Sequence, residues 1–132
     1  ALELLEGEEG FFLMVEESYI DICEADLDME GTIKEMQVFD KCIDYTLSWA
    51  EEHPGTLVIV TADHETGGIT YDAENDEYYY TTGSHTGVNV PVFVSAADAG
   101  FIDGKAYKNC EVSVQLARVM GAKEEDFPRI KL

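Results

Sequence analysis

Basic residues are scarce in this chain. Eight Lys and Arg stand against 28 Asp and Glu, a formal net charge of −20. That balance argues against nucleic acid and anionic membrane as partners, because phosphate contacts are made by Lys and Arg. Long hydrophobic runs are also missing: no stretch approaches the roughly 18 consecutive apolar residues of a membrane span. The first residues, Ala1 to Glu6, lack the basic start and small-residue cleavage site of a secretory signal. The expectation is that no signal existed, or that the sequence starts inside a longer protein. Cysteine is sparse, with Cys23, Cys42 and Cys110 forming an odd set without a CxxC pair. They read as separate small core residues with room for one disulfide, and they leave the compartment open. Repeats, low-complexity segments and linkers are absent as well.

What is present suits a globular protein. Hydrophobic residues make up 45% of the 132 positions and aromatics 11%, which predicts a single domain over residues 1–132 with a core burying roughly two thirds of the unfolded surface. The acidic surplus is compatible with cation binding, high solubility or a salty environment, and its simplest reading is a solvated acidic surface.

Hydrophobic periodicity then divides the chain. Gly10 opens the apolar run Phe11–Val15, which ends in Glu16-Glu17 and reads as a central strand. Thr32 and Glu35 have capping-box spacing and predict a helix from Ile33. Ile33, Met36, Phe39, Ile43, Leu47 and Ala50 recur at three- and four-residue steps along it. His53-Pro54-Gly55 ends that helix, with His53 favoured there by the helix dipole. Thr56 to Val60 reads as a second buried strand, so strand, helix and strand predict a βαβ unit with parallel strands. Ile69–Asp72 and Tyr78–Thr82, separated by Asn75-Asp76, predict a small β-hairpin. Its Tyr triplet either lines a binding surface or simply favours strand. Val90–Val94 reads as a third strand, edged or started by Pro91. Asn109–Met120 predicts a last helix stopped by Gly121, and both chain ends are expected to fray. The fold class is therefore α/β, a parallel-rich sheet of three or four core strands flanked by helices, with the hairpin at one edge.

The chemistry concentrates at strand ends. Asp63 and His64 follow the second strand, in Thr61-Ala62-Asp63-His64-Glu65-Thr66-Gly67-Gly68. Both are good ligands for a divalent metal, and open α/β sheets place their sites at that end of a strand. Glu16 and Asp21 follow the first strand, and His85 lies in the glycine-flanked loop Gly83–Gly87 before the third. Each alone is an ordinary surface residue. Their joint occurrence beside strand ends predicts a metal site built from Glu16, Asp21, Asp63, His64 and His85.

Four segments carry a further signal: Gly10–Glu16 with Ile20-Asp21, Phe39-Asp40, Thr56–Gly68, and His85-Thr86-Gly87 with Val90–Phe93. Together they resemble the alkaline phosphatase family, over about Gly10 to Met120. The resemblance implies the C-terminal portion of an alkaline-phosphatase-like fold, whose members hydrolyse phosphate monoesters with two zinc ions and one magnesium ion. It implies Glu16 as the magnesium ligand, Asp63 and His64 as ligands of the nucleophile-activating zinc, and Asp21 and His85 as ligands of the water-activating zinc. It also implies a periplasmic or extracellular location.

This sequence departs from the family pattern in two places. The family's second histidine for the water-activating zinc falls four residues after Asp21, where Ala25 stands. Cys23, Glu24 and Asp26 are the neighbouring groups available to substitute, and a weak or empty site is the simpler expectation. The family's nucleophilic Ser, in an Asp-Ser-Ala motif, would lie upstream of everything matched here, as would a further metal-binding Asp and a phosphate-clamping Arg. Ser18, Ser48, Ser84, Ser95 and Ser113 are not in that motif, and Arg118 and Arg129 are not placed to clamp a substrate. The chain alone is therefore expected to be inactive, as a segment of a phosphatase or as a non-catalytic metal- or partner-binding relative. An uncovered sheet edge or face predicts homodimers.

Overall fold

The computed structural model describes residues 1–7, 10–96 and 105–123. Helix α1 (Leu2–Leu5) is a single turn, followed by α2 (Tyr19–Ala25) and the long α3 (Met29–Glu52). Six short strands come next: β1 (Ile59–Thr61), β2 (Glu65–Thr66), β3 (Thr70–Asp72), β4 (Glu77–Tyr79), β5 (His85–Thr86) and β6 (Val92–Val94). Helix α4 (Asn109–Val119) closes the described chain.

Helix α3 starts four residues before the predicted Ile33. The side chain of Asp28 accepts a hydrogen bond from the Gly31 amide at 3.0 Å and so caps the first turn. Thr32, taken from sequence as the cap, is instead inside the helix and buried. Its hydroxyl donates to the Asp28 carbonyl at 2.9 Å and lies 2.6 Å from the Tyr80 hydroxyl. The predicted stop holds. His53 is the C-terminal cap residue, and Gly55 takes the reversal at φ +96°. Helix α2 had no counterpart in the sequence reading. Helix α4 matches its expected span and ends before Gly121, at φ +82°.

The strands form three nested antiparallel ladders. β1 pairs with β6, β2 with β5 and β3 with β4, in the registers Val60↔Phe93, Thr66↔His85 and Tyr71↔Tyr78. The chain thus runs outward through β1, β2 and β3, reverses at residues 73–76, and returns beside itself. The reversal is held by Asp72, whose carboxylate accepts from the Glu74 amide at 2.9 Å and the Asn75 amide at 3.3 Å, with Asp76 at φ +56°. This is the predicted hairpin, extended by two further ladders.

The expected parallel-rich sheet is not what pairs here. Every strand pair among the described residues is antiparallel, and Phe11–Val15 belongs to none of them. Its apolar run was read as a central strand because both faces are hydrophobic, yet no neighbouring strand is in place to ladder with it. The expected core is also missing. Among the described residues no hydrophobic side chain is buried, and Met14, Ile33, Met36 and Leu47 are all exposed. Phe39, Ile43 and Ala50 are half-buried. The α3 stripe has the right period for a core, but among the described residues little lies against it beyond α2.

Candidate metal centre

Two structural devices assemble the site. The first is α2, which carries Asp21 in its first turn and packs against β2. The second is the β2–β5 ladder, whose register sets His85 directly opposite Thr66 and two residues from His64. Asp21, His64 and His85 consequently offer ligand atoms that all lie within 4.8 Å of one another. Glu16, exposed ahead of α2, and Asp63 are outside this group.

The detailed contacts sort these residues further. The Thr66 hydroxyl donates to Asp21 Oδ1 at 2.6 Å and lies 3.1 Å from His64 Nδ1. His85 Nε2 is 3.5 Å from the same Asp21 oxygen. On the other side of its ring, His64 Nε2 is 3.3 Å from Asp63 Oδ2, and the Asp63 carboxylate is 83% exposed. The Asp63 carboxylate also accepts from the His64 amide at 3.1 Å, while its carbonyl accepts from the Asn109 side chain, which ties α4 to the loop.

The two imidazoles are stacked, with centroids 3.5 Å apart and planes at 20°. A metal ion sits in the plane of each imidazole it binds. Planes so spaced and tilted meet only about 10 Å away, far beyond the roughly 2.1 Å of a metal–nitrogen bond. The stacked arrangement therefore suits two neighbouring ions, one beside Asp63 and His64 and one beside Asp21 and His85, better than a single ion shared by both rings. A carboxylate with an imidazole is a borderline-hard O/N donor set that suits zinc or a similar divalent ion.

Carboxylates crowd the same rim. Burial pushes the Glu24 carboxyl up, and the charges of Glu65 and Asp21 add to the rise while His64 opposes it. Glu24 lies three residues after Asp21, on the same face of α2. Glu65 is itself held in place, accepting from the Thr86 hydroxyl and from the Ile69 amide at 3.2 Å. Such crowding of like charge favours a cation.

The turn after the site needs glycine. Gly67 sits at φ +88°, and a Cβ there would meet Tyr80 Cδ1 at 2.5 Å. Its carbonyl accepts from the Thr81 and Thr82 amides at 2.9 and 3.1 Å, fastening the returning strand. Tyr80 is thus a packing residue over Gly67 and Thr32, whereas Tyr78 pairs with Tyr71 at 5.0 Å on the hairpin. Sequence reasoning named Asp21, Asp63, His64 and His85 but passed over Thr66 and Asn109. Nothing in hydrophobic period marks a buried threonine on a two-residue strand.

Comparison with known proteins gives a consistent picture. The family model for alkaline phosphatase matches residues 1–82. Alkaline phosphatase 4 of Bacillus subtilis (strain 168) is 35% identical over 92 residues, which is 70% of this chain and 20% of the relative. Streptomycin-6-phosphate phosphatase of Streptomyces griseus is 35% identical over 105 residues, covering 63% of this chain and 23% of the relative. Among solved structures, alkaline phosphatase from the Antarctic bacterium TAB5 superposes with a TM-score of 0.80 at 31% identity, over 92% of this chain and 38% of that one. A variant of that enzyme with Mg bound in its M3 site gives a TM-score of 0.81 at 30% identity. The chain spans about a fifth of the length of these curated relatives and about two fifths of the solved chain.

Proposed function

Because the chain belongs to the alkaline phosphatase family, we propose that it supplies the C-terminal part of the metal centre of a phosphate monoester hydrolase, residues 1–132 acting as one unit. The observation that carries this reading is the convergence of Asp21, His64 and His85, delivered by one helix and by both arms of a nested hairpin. In this reading Asp63 and His64 hold one zinc, Asp21 and His85 hold the other, and Glu16 serves a magnesium ion. Two ions so placed stabilise the entering and leaving oxygens of an in-line displacement.

The chain's own residues do the holding and orienting. The exposed Asp63 carboxylate leaves room for a substrate oxygen at its ion, and Thr66 fixes Asp21 from the buried side. Ala25 offers no ligand to the Asp21/His85 ion, so that site is the weaker of the two. The nucleophile comes from elements that the relatives possess and the described residues do not match. Family membership also supports a periplasmic or extracellular setting, and the uncovered apolar face of α3 supports self-association of the chain when it stands alone.

Calorimetry on metal-stripped protein tests the reading, comparing the chain with His64→Ala and His85→Ala. Zinc binding is expected, with a loss of at least 100-fold in affinity at one ion for each variant. Zinc affinity equal in all three proteins would end the proposal. Hydrolysis of a simple aryl phosphate is expected only when the missing family segment is added in trans.

A further inference from the structure

We propose that Thr66 is a positioning residue that sets the tautomer of His64, so that Nε2 is the nitrogen presented to a cation. The cation part of this inference rests on the metal reading above. The tautomer part stands on hydrogen-bond geometry alone.

Thr66 and Thr32 are the two buried polar side chains among the described residues, and Thr66 is only 2% exposed. A hydroxyl so buried needs partners, and Thr66 has two, Asp21 Oδ1 at 2.6 Å and His64 Nδ1 at 3.1 Å. A hydroxyl has one proton to give. A carboxylate oxygen accepts and has none to return, so the Thr66 proton goes to Asp21. Toward His64 the hydroxyl then shows only lone pairs, and it accepts. Neutral His64 must therefore carry its proton on Nδ1.

The consequence falls on the far side of the ring. With Nδ1 protonated, the basic lone pair is on Nε2, which faces Asp63 Oδ2 at 3.3 Å. His64 is thereby assigned to the Asp63 ion and withheld from the Asp21/His85 pair, in agreement with the stacked rings. One buried hydroxyl thus orients a ligand on each side of it, anchoring Asp21 with its proton and His64 with its oxygen.

The test uses the full chain with 15N-labelled histidine, metal-free and at mildly alkaline pH, where neutral imidazole dominates. Long-range 15N–1H correlation spectra distinguish the two tautomers, and a His64→Gln variant assigns the signals. His64 is expected as the Nδ1–H form in the wild type and in Thr66→Ser, which keeps the hydroxyl. In Thr66→Val, which keeps the shape without it, the ring is expected to shift to the Nε2–H form preferred by free imidazole. Zinc affinity at the Asp63/His64 ion, read by competition with a chromophoric chelator, is expected to fall 10- to 100-fold in Thr66→Val and to recover in Thr66→Ser. An Nε2–H His64 in the wild type overturns the proposal without any variant, as does an unshifted tautomer in Thr66→Val. The Nδ1–H form in a wild-type chain that binds no zinc would uphold the Thr66 assignment and refute the metal reading instead.

Discussion

Replacing Gly67 by alanine, with Gly87→Ala as its partner experiment, tests the turn that carries the site. The two substitutions add the same methyl group in different surroundings. At Gly67 the backbone has φ +88°, where an L side chain costs about 1–2 kcal/mol. The new Cβ would also stand 2.5 and 2.8 Å from two ring carbons of Tyr80. Ordinary carbon contact lies near 3.5 Å or beyond, so the ring must retreat by about 1 Å. That movement draws the Tyr80 hydroxyl from Thr32, now 2.6 Å away, and weakens one hydrogen bond of a buried group, for a further ~1 kcal/mol. Gly67→Ala is therefore expected to destabilise by about 2–3 kcal/mol. At Gly87 nothing lies within 4 Å of the added Cβ, and the backbone is outside the left-handed region. Gly87→Ala is expected to be neutral, or to stabilise by up to ~1 kcal/mol through the unfolded chain. Urea titrations followed by far-UV circular dichroism measure both, as a change of midpoint at constant slope. A Gly67→Ala midpoint equal to that of Gly87→Ala would refute the reasoning.

Three more expectations follow from particular contacts. Asp28→Ala removes the cap of α3 and is expected to cost ~1 kcal/mol in the same titration, while Asp28→Asn is nearly silent. His53 has its pKa raised, chiefly by the Trp49 carbonyl that its Nδ1–H meets at 2.7 Å, with burial opposing and Glu6 adding to the rise. The protonated form thus favours the folded end of α3, a contribution complete below the unfolded-state pKa and lost as pH rises through the folded one. Trp49, the single tryptophan, stacks on that ring at 3.7 Å, so its fluorescence is expected to titrate with a midpoint above that of free imidazole and to stop titrating in His53→Gln. Glu24 has its carboxyl pKa raised, so its ionisation opposes folding and the penalty is relieved as pH falls through the folded value. Glu24→Gln is accordingly expected to raise the melting temperature of the metal-free chain at neutral pH, and an unchanged or lower value would contradict the crowding described at the rim.

The parts of the fold that could be read from sequence were those set by local chemistry. The apolar stripe from Ile33 to Ala50 marked α3, Pro54-Gly55 marked its end, and Asn75-Asp76 marked the hairpin reversal. Helix α2 escaped because seven residues, Tyr19–Ala25, are too few to show a period. The cap of α3 was misassigned because Thr32 and Glu35 satisfy the same spacing rule as a true cap, and only the fold shows Asp28 accepting from Gly31. Phe11–Val15 was given a parallel partner from its composition, but pairing depends on which strands are present beside it. At the site, Asp63 and His64 were legible as a chemically odd pair after a strand. That His85 joins them follows from the register Thr66↔His85, which no local pattern encodes. Thr66 was invisible for a related reason, since its role lies in which neighbours share its one proton.

The out-and-back course of the hairpin has a practical consequence. Depth along it is counted from the base, so Thr66 and His85 stay opposite each other whatever happens beyond β3 and β4. Extra residues spliced into 73–76 would lengthen the tip without changing the alignment of the two arms below it. That reversal is a natural port for grafting a tag, a reporter or a foreign loop.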